Sequence, residues 1–308
     1  MIETWVIGIL SRTLAYGTPL LLGTLGEIYS ERSGVVNLGI EGMMIMGAVS
    51  AFATAYITGN PWLGILVAAL AGGLAALVHA FASITLRANQ VVSGLALTML
   101  GLGLSGLFGK GFEGEPLNSA IPNITVPLLK DIPYLGEILF TNQNPIVYFS
   151  IVLTPILSYV LFKTSVGITI RSVGENPAAA DSAGINVWKV RYACVLLGGV
   201  LAGVAGGYLS IAYRPAWTQG MTGGMGWLVI ALTIFASWKP GRGLVGAYIF
   251  GALIHLSYRL QPWVAPQLLK MMPYAFAILA LVALAIGPGK QKSEEPNSLM
   301  QPYVRGEK

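Results

Sequence analysis

Long runs of apolar residues, separated by shorter polar segments, dominate this chain. A helix needs roughly 20 apolar residues to cross a bilayer, and buried backbone groups in lipid must bond within their own segment, so each run is predicted to be helical. Glycine, proline and polar residues interrupt the last three runs, any of which could be a half-helix or a re-entrant segment. The nine predicted spans are Thr4–Gly26, Val35–Ile57, Trp62–Leu86, Val91–Gly109, Pro145–Phe162, Tyr192–Tyr213, Ala216–Trp238, Gly243–Tyr258 and Met271–Ile286.

The charges of the loops predict their sides. The loops that follow the fifth and seventh runs are rich in Lys and Arg, which favours the cytoplasm. The loop at 113–144 carries four acidic residues against one lysine, Lys130, and is predicted to face outside. Nine spans satisfy these assignments with the N-terminus outside and the C-terminus in the cytoplasm.

Composition supports a lipid environment. Of the 308 residues, 55% are hydrophobic and 10% are charged, whereas a soluble domain carries about 25% charged residues. The mean hydropathy is +0.69. We therefore predict an all-α integral membrane protein. The net charge of +5 is scattered between apolar runs and does not indicate nucleic-acid binding. The first residues carry Glu3 and no basic region, so no cleaved signal peptide is expected.

Signatures of enzymes are missing from the sequence. It contains no P-loop, no H-E-x-x-H and no G-x-S-x-G, so we predict neither catalysis nor a directly bound cofactor or metal. His79 and His255 lie far apart in apolar runs and are predicted to hydrogen-bond between helices. Cys194 is the only cysteine, which excludes an intrachain disulfide framework. Gly199, Gly203 and Gly207 share one helix face, where small residues allow close helix packing.

Two polar segments stand out. The first, 30–47, places Asn37 and Glu41 four residues apart at the start of an apolar span. On a helix they would share a face toward a cavity. Alternatively, Glu41 lies at interface depth near the positive end of a helix. The second segment, 167–188, predicts a short cytoplasmic helix at Pro177–Ala183, either a docking element or an accidental turn in a solvated loop.

At these segments the chain resembles a known family. RSGVVNLGIEGMMIMGA and RSVGENPAAADSAGINVWKVR are similar to signature stretches of binding-protein-dependent permeases of the branched-chain amino acid, ribose and simple-sugar superfamily. The first stretch, ANQVVSGLALTML and GGMGW most resemble the nucleoside importer permeases. The resemblance implies the vitamin B12-permease-like helical bundle, with the first helix of its ten-helix relatives missing. It also implies a plasma or inner membrane of bacteria or archaea.

The resemblance further implies partners and a coupling element. A separate ABC ATPase would hold ATP and magnesium, a second paralogous permease would complete the pathway, and a substrate-binding (lipo)protein would dock outside. The loop at 164–190 would couple to the ATPase within a permease domain at 1–290, followed by a polar cytoplasmic tail at 291–308, expected to be a solvated end. The residues implied in coupling are Arg171, Gly174, Glu175, Asn176, Pro177, Ala178, Ala179, Ala180, Asp181 and Gly184.

Candidates for the substrate path are polar or aromatic residues near the spans. Aromatic rings could stack a nucleobase, or could form an interfacial belt. Polar residues could line the path or only bond neighbouring helices. The candidates are Asn37, Glu41, Asn89, Gln90, Ser93, Trp217, Met225 and Trp227. We expect a nucleoside importer permease. The alternatives are a permease for simple sugars or branched-chain amino acids, and a stand-alone secondary transporter or channel.

Overall fold

The computed structural model describes residues 2–286 and 294–305. Within these ranges the regular structure is helical, and the β-contacts are isolated bridges. The predicted all-α class is confirmed. The α-helices of the described ranges are α1 (Ile2–Arg32), α2 (Ile40–Thr58), α3 (Pro61–Ala80), α4 (Gln90–Gly109), α5 (Pro145–Lys163), α6 (Ser165–Glu175), α7 (Pro177–Ser182), α8 (Val187–Tyr208), α9 (Met225–Phe235), α10 (Pro240–Leu260) and α11 (Pro266–Ile286).

Seven helical segments are long and apolar enough to cross a membrane, and they match seven of the nine predicted spans. They are α2, α3 with its π-turn, α4, α5, α8 with its π-turn, α10 and α11. The helix α1 is not one of the seven, although its 31 residues give it the length to cross. The count of nine crossings stays a prediction.

The predicted span Ala216–Trp238 is wrong as a single helix, and the alternative of a half-helix holds for this run. Its first half, up to Gly224, consists of isolated β-bridges and turns, and only the 11-residue α9 is helical. Gly220, Gly223 and Gly224 have φ values of 69°, 57° and 87°, a left-handed backbone that a helix cannot contain. We call residues 214–224 with α9 the broken span.

The centre of the bundle is α8, packed against α1, α2 and α3. Within its 18-residue apolar stretch 83% of the residues are buried, against 17% in that of α11. A methyl group on Gly203 would collide with the Ala68 carbonyl of α3, and one on Gly72 with the Gly199 carbonyl of α8. The predicted close packing at the α8 glycines is confirmed.

The bundle has two distinct ends, which we name after the predicted sides. The inner end carries α6, α7 and residues 294–305, and α1 reaches it at Arg32. The outer end carries the loop at 113–144, where Gln143 donates to the Ser11 carbonyl of α1 at 3.1 Å. The chain thus brings the cation-rich loops to one end and the acidic loop to the other.

Candidate functional site: an inner docking surface, a broken span and an outer cavity

A helical hairpin, α6 and α7, projects at the inner end between α5 and α8. Asn176 separates the two helices, and its Oδ1 caps α7 by accepting from the Ala179 backbone N–H at 2.9 Å. Pro177 takes the first helical position, where its missing N–H costs nothing. The predicted helix Pro177–Ala183 is confirmed to within one residue.

The sequence analysis missed α6. The Thr164 hydroxyl accepts from the Gly167 N–H at 3.3 Å and caps this helix. Its buried residues Gly167, Ile170 and Val173 recur every three positions, a pattern that was visible in the sequence.

The residues implied in coupling differ in exposure and fall into three groups. Gly174 and Ala180 are buried and cannot meet a partner directly, and Arg171 lies over the Phe162 ring at 5.5 Å. Asp181 and Pro177 are half-buried. The exposed members, which a partner could touch, are Glu175, Asn176, Ala178, Ala179 and Gly184. Their role in coupling stays a prediction.

The expectation of a solvated tail is wrong for residues 294–305, which pack against the inner end. Ser298 donates its backbone N–H to the Gly174 carbonyl at 2.9 Å. The buried Arg191 donates to the Gln301 carbonyl at 3.0 Å and to the Ser298 hydroxyl at 3.3 Å. The polar composition of this segment suggested that water surrounds it. In the structure its polar groups bond instead to backbone of α6 and to Arg191 of α8.

Ion pairs fix both ends of this segment. Glu294 pairs with Arg32 at 3.1 Å and with Lys239, and Arg305 pairs with Asp181 at 3.0 Å. Burial alone would raise the pKa of Glu294, but the hydrogen bonds and charges of Lys239 and Arg32 lower it below its ordinary value. Glu294 is therefore ionised at neutral pH and keeps both pairs.

Glu41 holds the middle of the broken span. Its carboxylate accepts from the Thr222 hydroxyl at 2.5 Å and from the backbone N–H groups of Gly224 and Gly226 at 2.9 and 2.7 Å. The last two groups belong to the first turn of α9, whose free N–H groups form the positive end of the helix dipole. We call this arrangement the Glu41 cradle.

A second irregular segment, 33–39, precedes α2 and is buried. The polar groups of its backbone find partners on other helices, as nonhelical backbone at membrane depth requires. Asn37 N–H donates to Glu27 at 2.9 Å, and Val36 N–H donates to Gln90 at 2.8 Å. His79 meets the Val36 carbonyl at 3.0 Å and Ser93 at 3.0 Å, so its predicted interhelical bonding is confirmed.

The predicted path residues therefore lie in separate places. Asn37 belongs to segment 33–39, and Gln90 and Ser93 lie beside it. Asn89 is exposed and caps α4. Trp217 is 1% exposed and lies against Gly109, so its ring forms no interfacial belt. Met225 and Trp227 lie half-buried in the first turn of α9, next to the Glu41 cradle. Whether any of them lines a path stays a prediction.

A polar cavity of about 350 Å³ opens at the outer end. It lies between α1, the end of the 113–144 loop and the last turns before Arg214. Arg12, Asn123 and Asn142 are exposed on its wall. The other polar lining residues are Ser11, Gln143, Asn144, Tyr208 and Tyr213.

An aromatic cluster borders this cavity through Tyr213. The ring of Tyr16 lies 4.9 Å from that of Tyr213, 5.3 Å from His255 and 5.7 Å from Tyr258, measured between centroids. The sequence analysis missed the cavity because its residues come from distant positions. Arg12, an isolated charge in the first apolar run, and the polar run at 141–144 were the available signals.

No group of three His, Cys, Asp or Glu side chains that could hold a metal ion occurs in residues 2–286 and 294–305.

Comparisons with known proteins agree on a family. Residues 9–284 match the model of the family described as branched-chain amino acid transport system / permease component. TsgC13 of Haloferax volcanii, provisionally named a glucose ABC transporter permease, is 39% identical over 98% of this chain and 99% of its own. The guanosine ABC transporter permease NupQ of Bacillus subtilis is 38% identical over 97% of each chain.

The nucleoside ABC transporter permease NupC of Lactococcus lactis is 38% identical, over 91% of this chain and 92% of its own. Among solved structures, an ABC transporter in an inward-facing conformation matches with a TM-score of 0.51 and 17% identity, over 90% of this chain and 86% of that one. At that identity the likeness concerns the fold alone. The chain belongs to the branched-chain amino acid transport system / permease component family.

Proposed function

We propose that this chain is the membrane-spanning permease subunit of an ATP-driven importer for nucleosides. The observation that carries the proposal is α7, a capped helix that exposes Ala178 and Ala179 at the inner end between two membrane-crossing segments. Small side chains leave the backbone of α7 accessible to a groove on a partner. A separate ABC ATPase, which holds ATP and magnesium, is the partner that this family requires.

The permease itself performs no chemistry in this scheme. Closure of the ATPase displaces the α6–α7 hairpin, and the helices change which side of the membrane the pathway faces. A bound partner shifts such an equilibrium only by its differential contacts with the two states. Glu175, Asn176 and Asp181 lie on the hairpin and transmit the displacement.

Two further partners complete the importer. The apolar faces of α4 and α11 are largely exposed and fit either lipid or a second, paralogous permease across a central pathway. A substrate-binding lipoprotein or periplasmic protein delivers substrate to the outer end. The complex lies in a bacterial or archaeal plasma membrane, with the N-terminus of this chain outside and its C-terminus in the cytoplasm.

Nucleosides are the proposed cargo because two close relatives are named for them and because the outer cavity suits their chemistry. Its volume of about 350 Å³ falls in the range of small-molecule sites. Arg12, Asn123 and Asn142 offer hydrogen bonds to a base edge or to ribose hydroxyls, and Tyr213 offers an aromatic face.

A simple sugar is the second candidate, favoured by the 39% identity to TsgC13. Amide and arginine side chains also bind sugar hydroxyls, so the cavity admits either cargo. Branched-chain amino acids fit less well, because the described lining residues include no acidic side chain to meet their ammonium group.

Uptake by cells separates these candidates. Labelled guanosine, uridine and glucose are offered to cells that carry or lack the gene for this chain, and initial rates are compared. We expect nucleoside uptake to fall on deletion and to return with a plasmid copy, while glucose uptake stays unchanged. Loss of glucose uptake alone would establish the sugar alternative, and unchanged uptake of all three would contradict the nucleoside proposal.

A cavity variant connects that cargo to the structure. Asn142→Ala removes an exposed amide from the cavity wall and is expected to raise the KM of uptake while transport capacity is retained. Asn118→Ala is the matched control, since this exposed amide belongs to the same outer loop but does not line the cavity. If both variants had the same KM, the cavity would not be part of the substrate path.

A further inference from the structure

The α7 helix is weakly anchored by its own contacts. It has six residues and buries only Ala180 among them. A single nonhelical residue, Asn176, joins it to α6, and a turn containing Gly184, with φ of 84°, leads away from it. A helix held in this way would tilt by itself when pushed, and little of its displacement would reach the bundle.

Residues 294–305 supply the missing anchor at α7, and we call them the strap. Tyr303 packs on the small cluster formed by Val173, Ala180 and Val187, which joins α6, α7 and α8. Arg305 pairs with Asp181 at 3.0 Å on α7 itself. Ser298 donates from its N–H and its hydroxyl to the Gly174 carbonyl, at 2.9 and 2.7 Å, at the last turn of α6.

The other end of the strap is tied to the bundle. Glu294 joins Arg32, the last residue of α1, to Lys239, which directly precedes α10. Leu299 packs against the main hydrophobic core. The guanidinium of Arg191, 1% exposed in the first turns of α8, bonds the Gln301 carbonyl and the Ser298 hydroxyl.

We propose that the strap is a positioning element that transmits the displacement of α7 to α1 and to the turn between α9 and α10. This inference rests on the proposed function, in which α7 receives the ATPase stroke. The strap makes a second connection from the docking surface to the bundle, parallel to the covalent one through Asn176. A push on α7 then moves α1, α7 and the α9–α10 turn as one body.

The turn at Lys239 leads directly to the broken span. Trp238 donates from its indole to Glu31 of α1, and Arg32 donates to the Trp238 carbonyl at 3.3 Å. From there α9 runs back to the Glu41 cradle in the middle of the bundle. The strap therefore acts on α9, which polar contacts hold at both of its ends.

Four variants of the complete importer, reconstituted in proteoliposomes, test the strap. A chain that stops after residue 293 lacks it, and a chain that stops after Arg305 is the matched truncation control. Tyr303→Ala removes the apolar anchor, and Tyr303→Phe is its conservative counterpart, since the ring keeps its contacts. ATP hydrolysis and substrate uptake are measured on the same vesicles.

We expect the chain ending at 293 and Tyr303→Ala to lose uptake per ATP by about fivefold or more, while hydrolysis continues, as for a typical coupling free energy. The chain ending at Arg305 should match the wild type, and Tyr303→Phe, which keeps the ring but loses the hydroxyl that bonds Asp181, should lose less than Tyr303→Ala. Equal uptake per ATP in all variants would contradict the proposed role of the strap. Loss of both activities with failure to assemble would be a folding defect, and in that event the next measurement decides.

A crosslink gives a readout that does not depend on transport. With Cys194 replaced by Ala, Asp181→Cys and Arg305→Cys are bridged by a short bifunctional thiol reagent in the assembled complex. We expect rapid bridging with and without ATP, because the strap moves with α7. Bridging that ATP abolishes would overturn the proposal. If wild-type vesicles hydrolyse ATP but take up no nucleoside, the cargo assignment fails and the crosslink still judges the strap.

Discussion

Glu41 connects two parts of the chain that are both irregular. It lies in the first turn of α2, directly after segment 33–39, and accepts three hydrogen bonds from the broken span. A carboxylate at 5% exposure is costly to bury unless it is fully bonded, and these three donors together with the positive end of α9 meet that cost. Glu41 thereby fixes where α9 begins.

Substitution of Glu41 should weaken the fold in two steps. Glu41→Gln keeps one acceptor oxygen and is expected to cost about 1 kcal/mol, whereas Glu41→Ala leaves buried N–H groups without a partner and should cost about 3 kcal/mol. Cys194 is 3% exposed, so its labelling by a thiol dye during heating reports unfolding of the detergent-solubilised chain. Equal melting midpoints for both variants and the wild type would contradict this role.

At the residue scale the sequence predicted which positions are unusual but not what they do. Asn37 and Glu41 were expected to share a helix face, yet the helix begins at Ile40. Asn37 therefore bonds Glu27 through its backbone while Glu41 reaches α9. The second expectation, Glu41 near the positive end of a helix, holds for α2 itself, since Glu41 lies in its first turn. Its carboxylate also reaches the start of α9, 184 positions further along at Met225, which spacing alone cannot reveal. Its position at interface depth stays a prediction.

Among the helices, close glycine contacts decide the architecture. Gly47 of α2 and Gly72 of α3 both approach Gly203 of α8 so closely that an added methyl would meet backbone atoms. Small residues at such crossings allow tight van der Waals packing, which drives helix association in membranes. The crossing of α2 with α8 lies in the buried centre of the bundle, and α3 packs on it through its glycine and alanine face while its other face is exposed.

A pair of alanine substitutions tests this packing. Gly203→Ala places a methyl group against the Ala68 carbonyl and the Gly72 backbone and should destabilise the chain by about 1–3 kcal/mol. Gly103→Ala on α4 is the matched control, because no atom lies within 4 Å of its added methyl. The control should change stability by at most about 1 kcal/mol, in the stabilising direction. The two variants are compared by their melting midpoints, measured through labelling of Cys194. If the Gly203→Ala chain were as stable as the control, close packing at Gly203 would not stabilise the bundle.

The long apolar helices were predictable from hydropathy, and the interruptions of the last three runs indicated that a span could be broken, but not which one. The seven membrane-crossing segments appear where their runs predicted them. The run Ala216–Trp238 has the hydrophobicity of a span but contains Gly220, Gly223 and Gly224, whose positive φ values end any helix. Its irregular half is stable only because Glu41 and α4, through Trp217, cover it. Such compensation comes from distant residues and leaves no local signal.

For the whole molecule, the contacts form one connected line from the inner surface to the middle of the bundle. The exposed face of α7 is tied by the strap to Arg32 and Lys239, and α9 connects that point to Glu41. Segment 33–39 and the broken span meet at Glu41. A small displacement at the inner end therefore acts on backbone that hydrogen bonds, and not a continuous helix, hold in place. A bundle of this kind has a place at which two states can differ.

Fold class and family followed from hydropathy and from signature stretches along most of the chain. The outer cavity and the strap did not, because each is assembled from residues far apart in sequence. Ser298 lies 124 positions from Gly174, and Asn142 lies 130 positions from Arg12. Pairing at such separation depends on the folded bundle, and polar composition at 294–305 suggested solvent where the structure has a docked segment.

The proposed mechanism depends above all on an external motor that moves this chain through α7. Its most direct test is ATP-dependent uptake by proteoliposomes containing the complete importer, with Ala179→Arg on α7 compared with Ala88→Arg, an exposed alanine on the turn before α4. We expect the α7 variant to abolish uptake while the complex still assembles, and the control to transport normally. Wild-type uptake by the Ala179→Arg complex, or uptake by this chain without the ATPase, would contradict the account.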